Sequence, residues 1–172
     1  LFFTDKGRVY RLKCYEVPEG SRQSKGMNIA NLLPIAADEK VTSMIRVPEF
    51  DEEKYLVMVT KQGIIKRISL NAYNTARKGG LIALELNEGD ELAWVRLTDG
   101  NQQVIVATKN GLAIRFEETD VRPMGRQARG VKAISLREGD CVVGMCVVTN
   151  DDLILTASET GFGRISNVSD YR

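Results

Sequence analysis

Short apolar runs separated by glycine-bearing turns recur along the whole chain. "LFF", "YLVMV", "VIVAT" and "LILTA" each lead into such a turn: "DKGRVYR" at Gly7, "KQGIIKR" at Gly63, "KNGLAIR" at Gly111 and "ETGFGRI" at Gly161. A second glycine block repeats farther on as "SKGMNIANL", "KGGLIALEL" and "ARGVKAISL". An acidic turn follows each ("ADEK", "EGDE", "EGDC"), and then another apolar run ("VTSMIRV", "LAWVRL", "VVGMCVV"). Short β-rich runs bounded by Gly, Asn and Asp are the pattern of antiparallel strands. No segment carries the long, capped helical period.

The hairpin glycines recur roughly every 50 residues, which marks a repeat architecture in which one unit cannot bury its apolar face alone. The second unit reads as four strands, "VMVT", "IIKRISL", "LIALEL" and "LAWVRL". Four-stranded antiparallel units in series predict an all-β, propeller-like solid, with repeats at 1–56, 57–104 and 105–154 and a partial repeat at 155–172. The chain opens on a strand and stops inside a unit, so the expectation is a fragment of an incomplete ring. Asn110-Gly111 fits a two-residue hairpin turn with φ > 0 at both central positions.

Composition changes the functional picture more than the fold. The 172 residues suit one domain, and no run of about 18 apolar residues is present to span a membrane. The N-terminal "LFFTDKGRVYRLK" has neither a basic leader nor a small-residue cleavage site, so no signal peptide is expected. Cys14, Cys141 and Cys146 lack metal-ligand spacing, and the sequence has no histidine. They read as reduced, partly buried thiols of a cytoplasmic protein, with neither metal nor cofactor expected. Without histidine, Ser-His and Cys-His chemistry is excluded, leaving only carboxylate or lysine catalysis. The Glu88-Gly89-Asp90 and Glu138-Gly139-Asp140 triplets read as turn chemistry, and Trp94 as packing.

Formal net charge is only +1, but its distribution is periodic. Stretches 7–26, 61–80 and 109–132 hold 16 cations against 5 acids, while 27–60, 81–108 and 133–158 hold 5 cations against 15 acids. Equivalent positions of stacked units fall at equivalent places around the solid, so this sorting predicts a basic belt with acids gathered elsewhere. A basic belt attracts a polyanion through counterion release, independent of base sequence. Scattered surface cations serving solubility alone are the simpler reading, and three aligned repetitions weigh against it. Loops "NAYNTARKGG" and "RPMGRQARG" set glycine beside arginine, where backbone N–H groups can also approach phosphate.

The stretches "GRVYRLKCYEVPEGSRQSKGMNIANLLPI" and "RQARGVKAISLREGDCVVGM" resemble the C-terminal domain of the DNA gyrase A family, along essentially the whole chain. The resemblance implies a β-pinwheel, in which four-stranded blades exchange strands with their neighbours. It implies non-catalytic binding and wrapping of double-stranded DNA within an ATP-dependent type II topoisomerase, favouring negative supercoiling. Cleavage and ATPase sites then lie elsewhere. The partners are DNA, the rest of the gyrase A protein and the separate gyrase B protein, at the cytoplasmic nucleoid. The DNA-binding positions carried over are Arg8, Arg11, Arg22, Lys25, Lys66, Arg67, Arg77, Lys78, Arg115, Arg122, Arg126 and Arg129. The family's Gln-Arg-Arg-Gly-Gly-Lys-Gly box is missing, with "ARKGG" at 76–80 a partial echo, so the fragment is expected to begin after the first blade. Alternatives are the related topoisomerase IV domain, a propeller-type protein-interaction module, and an enzyme with a carboxylate site at the ring axis.

Overall fold

The computed structural model describes residues 1–75, 77 and 79–171. The first unit supplies strands β1 (Phe2–Thr4), β2 (Arg8–Tyr10) and β3 (Val41–Met44). The second supplies β4 (Tyr55–Thr60), β5 (Ile64–Ser69), β6 (Leu81–Ile82) and β7 (Leu92–Thr98). The third supplies β8 (Gln103–Thr108), β9 (Ala113–Glu117), β10 (Val131–Lys132) and β11 (Val142–Val148). A last hairpin is formed by β12 (Leu153–Ala157) and β13 (Gly163–Asn167). Helical structure among the described residues is limited to short 3-10 turns.

Strand pairing is antiparallel throughout these named strands, and it crosses the units. β6 leaves its own unit to pair with β2, with Leu81 opposite Val9. β10 likewise pairs with β5 of the preceding unit, with Val131 opposite Ile65. The sheets therefore run β3-β1-β2-β6, β10-β5-β4-β7, β11-β8-β9 and β12-β13. This is the exchange that a pinwheel requires, and counting strands within one unit does not reveal it. The second glycine block lets the exchanged strand enter: at Gly130 (φ 93°) a Cβ would sit 2.5 Å from the Ile65 carbonyl oxygen. The first unit's block, "SKGMNIANL", instead forms a 3-10 turn at Ile29–Asn31, capped by the Asn28 side chain on the Ala30 N–H at 3.0 Å.

The hairpin turns correct one expectation. Among the described residues only glycines have positive φ, so Asn110 does not share the left-handed conformation of Gly111 (φ 84°). Gly111 N–H donates to Thr108 O at 3.1 Å and Thr108 N–H to Leu112 O at 2.8 Å, enclosing a three-residue loop. Such loops need one left-handed residue, not two. Thr108 Oγ1 accepts from Leu112 N–H at 3.1 Å, and Thr60 Oγ1 does the same for Ile64.

Apolar layers fill the spaces between consecutive sheets. Phe3 and Val9 meet Leu56, Met58 and Ile68 in the first, and Val57, Val59 and Ile65 meet Val104 and Val106 in the second. Trp94 packs against the second layer, in keeping with the packing role expected for it. Ile105 and Val148 meet Val168 and Ile154 in the third. Each fully buried aliphatic contributes about 1.5–3 kcal/mol. These layers, more than the two-residue exchanged strands, join one unit to the next. Among the cysteines, Cys14 and Cys146 are exposed rather than partly buried, because they fall outside these layers.

Candidate nucleic-acid interface

The acidic turns fold against the hairpin loops. Asp90 Oδ1 accepts from the Gln62 and Glu91 N–H groups at 2.9 and 2.8 Å, and Asp140 Oδ1 from Asn110 and Cys141 at 3.0 and 2.9 Å. The EGD triplets are thus braces for the preceding turn. Beside them Lys61 pairs with Glu91 at 2.6 Å.

The basic loops lie along the edges where the exchanged strands enter. After β5 a 3-10 turn, Leu70–Tyr73, is capped by Ser69 and anchored by the buried Tyr73, whose hydroxyl donates to Ala83 O at 3.0 Å. Beyond it, the first unit holds the described ends of the loop. Arg8 donates to Gly80 O at 3.1 Å, and Arg11 to Thr75 O at 2.7 Å while lying 4.8 Å over the Phe50 ring. A groove of about 700 Å³ opens here, lined by Arg8, Arg77 and Arg126 with Gly80 and Gly125 at its margins. A second groove of about 420 Å³ is lined by Arg11, Lys13, Glu16, Thr75 and again Arg77. Arg8, Arg77 and Arg126 come from three successive units and converge on one groove. Lys13 lines the second groove, although it was not among the sequence candidates. Its signal was present in the charge count of residues 7–26.

Arg22, Lys25 and Arg122 are exposed on connecting segments. Arg129 pairs with Glu85 at 2.9 Å, and Arg115 is half-buried, donating to the side chains of Gln103 and Asn150 at 3.3 and 3.4 Å. Lys78 lies outside the described residues.

Lys66 and Arg67 correct the expected rim. Lys66 is fully buried, donating to Ala83 O at 2.8 Å and Arg126 O at 2.6 Å, and burial pushes its ammonium down to about 8. Arg67 is also buried, stacked 4.1 Å over the Tyr55 ring. Its guanidinium lies 3.6 Å from Glu118 Oε2 and donates to Glu118 O at 3.1 Å. Two carbonyls hold the Lys66 ammonium and an ion pair holds the Arg67 guanidinium, so both side chains are committed inside the protein. The charge pattern alone does not single out Glu118 as a partner. Glu118 is 1% exposed and also accepts from Thr98 Oγ1 at 2.7 Å and Gln102 N–H at 2.8 Å.

Comparison with known proteins fits this architecture. The family described as "DNA gyrase C-terminal domain, beta-propeller" matches residues 1–48, 54–99 and 102–148. The DNA gyrase A protein of Staphylococcus epidermidis is 51% identical over the whole chain, and that of Staphylococcus aureus 46%. The chain spans about a fifth (20%) of these relatives' length. A solved C-terminal domain of DNA topoisomerase IV superposes with a TM-score of 0.92 at 31% identity, over 99% of this chain and 54% of that one. A DNA gyrase A C-terminal domain superposes with a TM-score of 0.81 at 27% identity, with the same coverage. The exchanged strands, the repeated hairpins and these matches together place the chain in the DNA gyrase C-terminal domain family of β-propellers.

Proposed function

We propose that this chain binds double-stranded DNA along its basic edge and bends it, as a wrapping module of a bacterial type II topoisomerase. The observation that carries the proposal is the convergence of Arg8, Arg77 and Arg126 on one groove, continued by Arg11 and Lys13 through the shared Arg77. Cations from consecutive units make a track rather than a point, and a track matches the regular phosphates of a duplex. Each phosphate neutralised adds about −0.9 to the slope of log K against log salt. Bending a 20–30 bp segment by 40–90° costs on the order of 1–6 kcal/mol, which successive phosphate contacts offset. Backbone recognition of this kind selects bendable DNA over any particular base sequence.

Because the relatives are gyrase A proteins, the bound DNA is delivered to cleavage and ATPase parts lying in the rest of gyrase A and in gyrase B, favouring negative supercoiling on the cytoplasmic nucleoid. A second reading, substrate steering within topoisomerase IV, is favoured by the higher TM-score to that enzyme's domain. Closing nicked circular DNA in the presence of the chain tests the wrapping directly. Wrapping leaves a shifted distribution of topoisomers after ligation. Binding without any shift removes it, and no binding at low salt removes the DNA reading altogether.

A further inference from the structure

Cations on or just after the second strand of each of the first two blades point at backbone carbonyls in or beside the following unit's basic loop. Lys66 reaches Arg126 O at 2.6 Å, in the middle of the loop that carries Arg122, Arg126 and Arg129. Arg67 reaches Glu118 O and Val121 O at 3.1 and 3.4 Å, and its own carbonyl accepts from Met124 N–H at 2.9 Å. At the preceding junction Arg8 and Arg11 hold Gly80 O and Thr75 O on either side of Arg77. Among the described residues, loop 121–130 forms no ladder beyond an isolated bridge from Pro123 to Arg67. Among the described residues only Ala128 N–H to Gly125 O closes a turn within it. Its shape is imposed from below, by charged donors whose hydrogen bonds to carbonyls are stronger than neutral ones.

We propose that Lys66 and Arg67 are positioning residues that fix loop 121–130 so that Arg126 and its neighbours meet DNA in one preset arrangement. The idea rests on the DNA reading above and deepens it: the two buried cations of β5 shape the interface that the groove-lining arginines make. Pre-organising flexible arginines before binding removes an ordering cost from association. Lys66 contributes no phosphate contact, because it is enclosed by protein and spends its donors on two carbonyls.

Lys66→Met separates positioning from contact. In the free chain, the amides of residues 122 and 124–130 should exchange at least about tenfold faster, while β4 and β8 keep their protection. DNA affinity should fall roughly tenfold with an unchanged salt slope, whereas Arg126→Gln should lower the slope by about 0.9. The two substitutions should combine less than additively, since Lys66 acts through Arg126. Should Lys66→Met not fold, Lys66→Gln keeps a donor too short to span both carbonyls and reads the same loop. Loop exchange unchanged from wild type overturns the proposal while leaving the DNA reading intact. So does a slope lowered by about 0.9 in Lys66→Met alone, the signature of direct phosphate contact. Loop loosening combined with wild-type DNA affinity in Arg126→Gln overturns the DNA reading, and the positioning role with it.

Discussion

Arg67 and Arg115 stand at the same position after the hairpin glycines of consecutive units, yet one is buried in an ion pair and the other is half-exposed. Two aligned positions explain the difference. Tyr55, which stacks under Arg67, is replaced one unit later by Gln103, which merely accepts from Arg115 at 3.3 Å. Glu118, which pairs with Arg67, is replaced by Val168, a fully buried member of the third apolar layer. The lesson is that a repeat fixes where a cation stands, while the following unit decides whether its charge is available.

The sharpest break of this comparison is Arg67→Met. It strands Glu118 as a buried, unpaired carboxylate, and removing one partner of such a pair costs about 3–5 kcal/mol. Arg115→Met should cost under about 1 kcal/mol. Urea denaturation of both variants checks this, and Arg67→Met with Glu118→Gln should recover much of the loss. Equal costs for the two single variants end the comparison.

Lys66 offers a second handle, through pH. Its lowered value means that the native state sheds a proton near pH 8 that the unfolded chain keeps until about 10.5. Between these values the unfolded state binds more protons, so stability rises with pH. Relative to Lys66→Met, the wild type should gain up to about 3 kcal/mol from pH 8 to 10.5 in denaturant titrations. A flat difference means that Lys66 is not desolvated.

Among exposed cations the contrast is between Arg77, which makes no ion pair among the described residues, and the paired Arg129. Arg77→Gln should weaken DNA binding severalfold and lower the salt slope by about 0.9. Arg129→Gln should weaken it only about twofold, because Glu85 already offsets part of its charge. The smallest expected effect is Glu85→Gln, which frees Arg129 and should raise DNA affinity by about twofold in fluorescence anisotropy, with stability changed by less than about 1 kcal/mol.

The periodic glycines and apolar runs made the strands and the β architecture legible, because hairpin geometry and alternation are local. Strand exchange was not legible from the pattern. "LIALEL" satisfies any edge it meets, and only the Gly130 approach to Ile65 and its counterpart, Gly80 against Tyr10, select the preceding blade. The cations of the candidate interface were legible in the sequence, but their directions were not. Arg77 and Arg126 sit on loops and line the groove. Lys66 and Arg67 lie on β5, where Lys66 is drawn in by carbonyls and Arg67 by Tyr55 and a buried acid whose aligned positions carry other residues. Asn110 shows the same limit at a turn: its dipeptide permits two loop lengths, and the Thr108 hydroxyl selects the longer.

The central claim is that Arg8, Arg77 and Arg126 form one phosphate track across three units. A salt titration of duplex binding by the triple variant Arg8→Gln, Arg77→Gln, Arg126→Gln tests it most directly. The account predicts a slope of log K against log salt shallower than wild type by about 2.7, with the fold intact. An unchanged slope and affinity in that variant contradict it.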